Sequence, residues 1–289
     1  MRRIAAGFKT PCLLIFLLTI TSVNAKASDT VENLHDKNAP RIVTLSPALT
    51  EIAYALSLDK NIVGVSALSN YPPEASSKPS VGPYTKPLFE KIIALKPTLV
   101  LVNPEGPAEV LKRLSELKIS YLVVPMQKLA DIPTAMATIG AKTGKASEGA
   151  SQALKWREKM SEIRRRFKRA AKSPLVIIEV QQEPLIVAGK NTFLSEIVEL
   201  CGAKNIFDEF EGYPHISTET LLKQKTALAI VVVDHFEQSS QRDEVINYWK
   251  SWPSFEKTKL YFFEPDLTSR PGPRLILGIE MICKKISSL

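Results

Sequence analysis

Short apolar runs alternate with segments of mixed polarity from residue 41 onward. In the first part of this region the apolar runs have the length of buried strands, and the segments between them repeat apolar residues at helical spacing. The predicted strands are Arg41–Leu45, Ile62–Val65, Thr98–Val102 and Tyr121–Val124, and the predicted helices are Ala48–Leu56, Leu88–Leu95, Pro107–Leu117 and Pro133–Lys142. Strands that alternate with helices indicate a mostly parallel sheet covered on both faces. We therefore predict an N-terminal α/β lobe over residues 41–143.

A long polar segment follows this lobe. Its apolar residues recur at steps of three and four, which predicts one linking helix over residues 144–172. Basic residues at 164–166 and 168–169 lie near its C-terminal end, where cations favour the helix dipole and a solvated face. A nucleic-acid-binding patch is the alternative interpretation. The N-terminal segment predicts export from the cytoplasm, where nucleic acid is found, so we expect no nucleic-acid binding.

The alternation of strands and helices resumes after the linking helix. The predicted strands are Leu175–Val180, Leu185–Val187, Leu228–Val233 and Leu260–Phe263, and the predicted helices are Phe193–Leu200, Ser217–Gln224, Glu244–Trp249 and Pro273–Ser287. This predicts a C-terminal α/β lobe over residues 173–289. The fold class is then α/β, with two Rossmann-like lobes of parallel-rich sheet joined by a single long helix.

An internal similarity supports two related lobes. Residues 90–102 align without gaps onto residues 219–231, so that Glu90 matches Glu219 and Leu99 matches Leu228. Both segments are predicted as a helix that leads with Glu and continues into a buried strand.

The N-terminus has the layout of a secretory signal peptide. Arg2 and Arg3 give a positive start, an apolar run follows, and small residues end at Ala25. The apolar run is shorter than the roughly 20 residues that span a bilayer, which disfavours an uncleaved anchor, and no Cys stands at the cleavage site. We predict a signal peptide over residues 1–25, with a second cut site after Ala27 as an alternative, and a flexible leader over residues 26–40. The mature protein is then expected to be periplasmic and free in solution.

Charge and cysteine content change after such cleavage. The net charge of +8 falls to +5, which is mildly basic. Cys12 leaves with the signal peptide, and Cys201 and Cys283 remain. Two cysteines in an oxidising compartment favour a disulfide. A metal site is the alternative, but two thiolates without nearby histidines lack ligands.

Catalytic and metal-binding motifs are missing from the sequence. It has no Gly-x-Ser-x-Gly elbow, and Gly189–Thr192 lacks the upstream glycine of a phosphate loop. Of its three histidines, His35 lies in the leader, while His215 and His235 are separated in sequence. A zinc or manganese site needs three or four converging ligands. We therefore expect neither an enzyme nor a metal centre, and an exported hydrolase stays a remote alternative.

Several segments resemble the periplasmic vitamin B12 (cobalamin) binding protein family, whose lobes are bridged by one long helix. They are RIVTLSPALTEIAYAL (41–56), SNYPPEA (69–75), FEKIIALKPTLVLV (89–102), EPLIVAGKNTFLSEIVELCGAKNIF (183–207) and PRLILGIEMIC (273–283). The resemblance implies a monomeric solute-binding protein that takes up cobalamin for an ABC importer, with no cofactor of its own. It also implies a Cys201–Cys283 disulfide. Glu90 and Glu219 match the family's pair of carboxylates that engage arginines of the permease dimer.

The resemblance further implies a ligand cleft between the lobes. A corrin ring is a broad, largely apolar plate, so it needs stacking surfaces and a few polar contacts. The matching positions are Leu68, Tyr71, Tyr84, Tyr213, Asp266, Leu267, Thr268, Ser269 and Arg270. The sequence departs from the family pattern at three positions, because Leu68 and Leu267 of this set, and Asn103 outside it, replace aromatic residues. A haem or iron–siderophore complex therefore stays an alternative ligand.

Overall fold

The computed structural model describes residues 39–104, 107–167, 173–224, 227–233 and 239–289. The predicted signal peptide over residues 1–25 lies outside the described residues, as do residues 26–38 of the predicted leader. His35 and His235 lie outside them as well.

The first sheet contains the four strands that the sequence predicts for the N-terminal lobe. They are β1 (Ile42–Thr44), β2 (Ile62–Val65), β3 (Leu99–Val102) and β4 (Tyr121–Val123), in the spatial order β2-β1-β3-β4. Every pairing between these strands is parallel, with Val43 opposite Val100 in the register of β1 and β3. Because all four carboxyl ends meet at one edge, the loops that follow them lie side by side.

Helices cover this sheet as the sequence pattern predicts. They are α1 (Pro47–Ala55), α2 (Phe89–Ala94), α3 (Ala108–Glu116) and α4 (Asp131–Lys142). Ser46 and Pro47 are residue types that favour a helix start, and α1 begins there: the backbone N–H of Leu49 donates to Ser46 Oγ, and Pro47 takes the first helical position. A short 3-10 helix, Pro73–Ser77, was not predicted from the sequence.

The linking helix, α5 (Ala146–Arg166), packs along α4. The two helices approach closely at Gly140 and Gly149, where an added Cβ on Gly149 would meet the Met136 carbonyl oxygen at 2.6 Å. The buried face of α5 carries the predicted apolar series, including Ala153, Trp156 and Ile163. Residues 168–172 of the predicted linking helix lie outside the described residues.

The second sheet contains the strands β5 (Leu175–Gln181), β6 (Ile186–Val187), β7 (Lys204–Asn205), β8 (Ala229–Val232) and β9 (Lys259–Phe262). Its main order is β6-β5-β8-β9, and β7 also pairs with β5. The β5–β8, β8–β9 and β5–β7 pairings are parallel, while β6 turns back antiparallel on β5. The two sheets therefore share an arrangement in which β1 matches β5, β3 matches β8 and β4 matches β9.

The helices of this half are α6 (Phe193–Leu200), α7 (Thr218–Leu222), α8 (Ser239–Lys250), α9 (Pro265–Thr268) and α10 (Leu275–Ile286). Helix α6 has its predicted bounds, whereas α8 starts five residues before the predicted Glu244. Helix α9 and strand β7 were not predicted, since four and two residues are too short to show a periodic pattern.

One apolar core runs through both halves of the molecule. It joins Ile52 and Ile132 of the first half, Trp156 and Ile163 of the linking helix, and Leu194 and Leu275 of the second half among its members. Domains in one chain move readily unless their interface is large and apolar. This shared core predicts little movement between the lobes. In the described part of the chain, no helix has both the length and the apolar character needed to cross a membrane.

A disulfide joins the C-terminal end of α6 to α10. Cys201 and Cys283 are bonded across an 82-residue separation, and both are buried against the shared core. Closing a loop of that length restricts the unfolded chain, which stabilises the folded state by roughly 4 kcal/mol in the chain-entropy description.

We expect reduction of this disulfide to lower the free energy of unfolding by about 2–4 kcal/mol. Urea unfolding followed by circular dichroism, with and without dithiothreitol, measures the difference. The Cys201→Ser/Cys283→Ser variant should be less stable and should not respond to the reductant. Equal stability of the oxidised and reduced protein would contradict the expectation.

Candidate functional site

A half-open cleft of about 760 Å³ lies between the two halves of the molecule. This is within the usual range for small-molecule sites, which runs from about 300 to 1,000 Å³. Most of its walls come from loops that follow strands and precede helices, while Ser269 to Pro271 lie between α9 and α10. The lining residues are Ser46, Pro47, Ala48, Tyr84, Asn103, Met126, Gln127, Lys128, Asn191, Thr192, Phe193, Glu211, Gly212, Tyr213, Ser269, Arg270 and Pro271.

The N-terminal wall is built at the point where the strand order of the first sheet reverses. Ser46 follows β1 and Asn103 follows β3, and the Ser46 hydroxyl donates to Asn103 Oδ1 at 2.7 Å. Met126, which follows β4, lies beside Asn103 and is nearly fully buried. Ligands of open α/β sheets bind at such reversal points. The fold therefore places Ser46, Asn103 and Met126 where a ligand is expected.

The C-terminal wall is held by side-chain hydrogen bonds around the start of α6. The Thr192 hydroxyl accepts from the backbone N–H of Ser195 and donates to the Gly189 carbonyl at 2.8 Å. Asn191 donates to Glu211 Oε1 at 2.7 Å, which ties the α6 loop to the Glu211–Tyr213 loop. These bonds fix the wall before any ligand enters.

Two tyrosines face the cleft from opposite walls. Tyr84 belongs to the N-terminal half and Tyr213 to the C-terminal half, and they are 44% and 47% exposed. Large aromatic side chains left half in water offer contact area at little conformational cost, since few torsions need to be ordered. The arrangement suits a broad apolar ligand held between two rings.

The segment Asp266–Arg270 contributes to the cleft only at its end. Ser269 and Arg270, which both belong to the predicted ligand contacts, line the cleft. Thr268 is fully buried in α9, and its hydroxyl donates to the Glu264 carbonyl at 2.9 Å. The prediction that Thr268 contacts the ligand is therefore not supported by its position. Its helical turn could not be recognised in so short a segment.

Asp266 and Leu267 contact other residues of the protein and do not line the cleft. Asp266 accepts a hydrogen bond from Asn70 at 2.8 Å and pairs with Arg270 at 2.5 Å. The backbone of Leu267 packs on α10, where an added Cβ at Gly278 would meet its carbonyl oxygen at 2.1 Å. Neither residue is among the described residues that line the cleft.

Leu68 and Tyr71 are likewise outside the lining set. Leu68 is 73% exposed and adopts a positive φ of 66°, a backbone conformation that residues other than glycine rarely take. The Tyr71 ring lies 3.7 Å from the guanidinium carbon of Arg274. This contact gives Tyr71 a packing role that the sequence did not reveal.

A charged network beside the cleft connects α1 to the start of α10. Glu51 accepts two hydrogen bonds from Arg274, at 2.6 and 3.0 Å, and its side chain is 2% exposed. Arg270 lies 3.9 Å from Glu51 and donates to Asn70 Oδ1 at 2.6 Å. With Asp266, which pairs with Arg270, the network has two acids and two arginines, so its charges balance. The network thus ties the N-terminal half to the C-terminal half at the rim of the cleft.

Burial sets the protonation behaviour of this network. The pKa of Glu51 is raised by its removal from water, while the hydrogen bond from Arg274 and the charges of both arginines oppose that shift. Removing one member of a buried ion pair leaves the partner charge uncompensated, which is strongly destabilising.

Sequence reasoning missed most of the N-terminal wall and the α6 loop. Gln127 and Lys128 follow β4 and lie outside the segments that carry the family resemblance. Asn191 to Phe193, at the start of α6, lie inside the 183–207 segment but were not assigned to the ligand set. The signal that could have found the first two residues is positional, because the loops after parallel strands converge at one edge. The predicted strand end at Val124 already indicated the loop of Gln127 and Lys128. The rule does not extend to the Asn191 loop, because β6 runs antiparallel to β5.

Glu90 and Glu219 lie away from the cleft lining, on α2 and α7. Both are exposed, and the helices precede the matched strands β3 and β8. Glu219 pairs with Lys223 at 2.6 Å, with both side chains more than two-thirds exposed. Such an exposed pair contributes little to stability and is readily exchanged for another partner.

Candidate metal ligands do not converge in the described ranges, which contain no group of three or more His, Cys, Asp or Glu side chains suited to an ion. His215 is exposed and is not among the described cleft residues.

Two α/β lobes, one linking helix and a pre-formed cleft between them define a two-lobed solute-binding protein. The chain belongs to the periplasmic binding protein family, whose sequence profile matches residues 42–265. Members of this family bind transport substrates, and the fold is that of the class with a helix between the lobes.

Known proteins match most of the chain. A vitamin B12-binding protein of Pectobacterium atrosepticum is 31% identical over 255 residues, which cover 86% of this chain and 89% of that protein. The structure of the periplasmic vitamin B12 binding protein BtuF of Vibrio cholerae superposes with a TM-score of 0.76 at 26% identity, over 86% of this chain and 97% of that chain. A periplasmic heme binding protein from Pseudomonas aeruginosa gives a TM-score of 0.73 at 25% identity, over 86% and 92% of the two chains.

We expect Glu51→Ala to lower the free energy of unfolding by about 3 kcal/mol, because it leaves Arg274 and Arg270 with one acid between them at the lobe boundary. The matched control is Glu116→Ala, which breaks the exposed Arg113–Glu116 pair of equal charge type, at 3.0 Å. That change should be worth less than about 1 kcal/mol. Urea unfolding of both variants measures the difference, and similar losses in the two would contradict the role of Glu51.

Proposed function

We propose that this protein captures cobalamin in the periplasm and delivers it to the permease of an ABC importer. The observation that carries the proposal is the pair of half-exposed rings, Tyr84 and Tyr213, on opposite walls of a fixed cleft. A corrin is a plate with an apolar face, which stacks on such rings, and a rim of amide side chains. Among the lining residues, Gln127 and Asn191 supply amide groups that pair with those of the rim.

The relatives support cobalamin over other ligands. Both the Pectobacterium protein and the Vibrio structure carry names that specify vitamin B12. The likeness to a heme binding protein makes haem the second candidate. A tyrosine hydroxyl can ligate haem iron, and Tyr84 and Tyr213 are the cleft residues that could do so.

The proposed location follows from the sequence and the relatives together. The N-terminal pattern predicts export, and the Vibrio relative is described as periplasmic. The proposed activity is binding and release, without chemical change to the ligand, and it uses one protein chain and one ligand molecule.

The proposed docking site is formed by Glu90 and Glu219. They lie on equivalent helices of the two lobes, so a partner with two-fold symmetry can meet one carboxylate with each of its subunits. Arginine binds carboxylate in a bidentate geometry that fixes orientation as well as supplying attraction. The permease dimer is expected to present these arginines.

We expect cyanocobalamin to bind one-to-one, and Tyr84→Ala and Tyr213→Ala each to weaken binding by about tenfold. An aromatic contact is worth about 0.5–1.5 kcal/mol beyond its buried area. Isothermal titration calorimetry with cyanocobalamin, haemin and a ferric siderophore measures ligand choice and affinity.

The control is Tyr121→Ala. Tyr121 is 36% exposed and sits on β4, where its hydroxyl bonds to Ser115 and away from the cleft lining. This variant should bind as the unaltered protein does. Saturation with haemin and no heat with cyanocobalamin would show that haem, not cobalamin, is the ligand. Equal effects of Tyr84→Ala, Tyr213→Ala and Tyr121→Ala would contradict a role for Tyr84 and Tyr213 in the binding site.

We expect Glu90→Ala/Glu219→Ala to reduce uptake of labelled cyanocobalamin at least tenfold in cells that lack the unaltered gene. The calorimetric affinity for the ligand should stay within twofold, since neither side chain lines the cleft. The control is Glu109→Ala/Glu244→Ala, which removes exposed acids from α3 and α8. Normal uptake by the first double variant would reject docking through these carboxylates.

A further inference from the structure

The helices that carry Glu90 and Glu219 also carry exposed apolar side chains. Ile93 on α2 is 48% exposed and Leu222 on α7 is 61% exposed. Each lies three residues after the glutamate of its helix. Residues three apart on a helix are surface neighbours, so each carboxylate has an apolar side chain beside it.

Burial along the two helices follows the same order. The residue just before each exposed one, Ile92 on α2 and Leu221 on α7, is almost fully buried and anchors its helix to the core. Acid, buried anchor and exposed apolar side chain therefore occur at the same spacing in both lobes. Single exposed apolar residues are common on protein surfaces and need no explanation. An exposed apolar residue that is repeated at equivalent positions of both lobes, next to the same acid, does need an explanation.

Each of the two helices is buried through a residue other than the exposed one. Helix α2 spans Phe89–Ala94 and α7 spans Thr218–Leu222, so each has little more than one turn and buries a single residue of that turn. Within the described residues, neither Ile93 nor Leu222 is among the side chains that form the apolar cores or pack against them.

We propose that Ile93 and Leu222 form two matched apolar contacts that are buried against the permease dimer when Glu90 and Glu219 dock. This inference rests on the proposed docking function and adds to it. The occupant is the two-fold symmetric periplasmic face of the permease, with one apolar depression beside one arginine in each subunit. The charge of the glutamates selects the cationic partner, and the equivalent positions select its symmetry.

The physical role of the pair is to exclude water from the charged contact. A carboxylate–arginine pair at an exposed surface is weakened by solvent and salt. When an apolar neighbour covers it, the local dielectric falls and the attraction strengthens. Contacts that exclude water in this way surround the strongest residues of many interfaces.

The test is binding of fluorescently labelled mature protein to spheroplasts of the producing bacterium, competed by unlabelled protein. Ile93→Ser/Leu222→Ser should bind at least tenfold more weakly. Added salt should weaken the remaining binding of this variant more than it weakens binding of the unaltered protein. The matched control is Leu154→Ser/Leu277→Ser, which changes side chains that are 56% and 52% exposed on α5 and α10. This control should bind within twofold of the unaltered protein.

A second measurement identifies the partner. A photo-crosslinking amino acid placed at position 93 or 222 should give adducts with the membrane-spanning subunit of an ABC importer, identified by mass spectrometry. The same residue at position 154 or 277 should give at least tenfold less. Adducts at 93 and 222 no stronger than at the control positions would overturn the inference.

The Glu90→Ala/Glu219→Ala variant is measured alongside to separate two failures. If it loses spheroplast binding while Ile93→Ser/Leu222→Ser keeps it, the apolar contacts are rejected and carboxylate docking stands. If the glutamate variant keeps binding and the apolar variant loses it, the proposed role of the carboxylates is rejected instead. Thermal unfolding at an unchanged midpoint shows that each exposed substitution leaves the fold intact, and equal losses in the apolar and control variants would overturn the inference.

Discussion

The shared apolar core around the linking helix is the constraint on which the rest of the structure depends. Helix α5 contributes Trp156 and Ile163 to a core that also contains Ile132 from one half and Leu275 from the other. Interiors of this kind are close-packed and resist deformation. The relative position of the two lobes is therefore set by packing, and the cleft between them exists before a ligand arrives.

A cleft of fixed shape selects its ligand by different means than a hinged one. Because the shared core predicts little movement of the lobes, we expect affinity to come from surfaces that are already in place, such as Tyr84 and Tyr213. The Glu51–Arg274 contact adds a polar tie at the rim, where the two halves meet. The same packing predicts a constant distance between α2 and α7, which would suit a partner that contacts both lobes.

The sequence was sufficient for the fold because its strands and helices are long enough to show their periods. Strand β2 and helix α6 have the bounds that the pattern predicts, and Ser46 caps α1 as its residue type indicates. It was insufficient for the site because short turns and contacts between lobes carry no period. Helix α9 buries Thr268, and Tyr71 packs on Arg274, although the family resemblance placed both in the ligand set. The contact of Tyr71 with Arg274, like the hydrogen bond between Arg270 and Asn70, joins residues about 200 positions apart in the chain.

Replacement of aromatic residues in the family pattern alters how the cleft must work. Asn103 stands where the pattern has an aromatic ring, and here it accepts a hydrogen bond from Ser46 beside Met126. A half-buried amide held by a hydroxyl cannot stack a ring, but it presents a polar edge at the reversal point of the sheet. Stacking then falls to Tyr84 and Tyr213 at the sides, while the base of the cleft is polar and thioether-lined. A plate-like ligand would accordingly be contacted at its faces by the tyrosines and at its edge by Asn103.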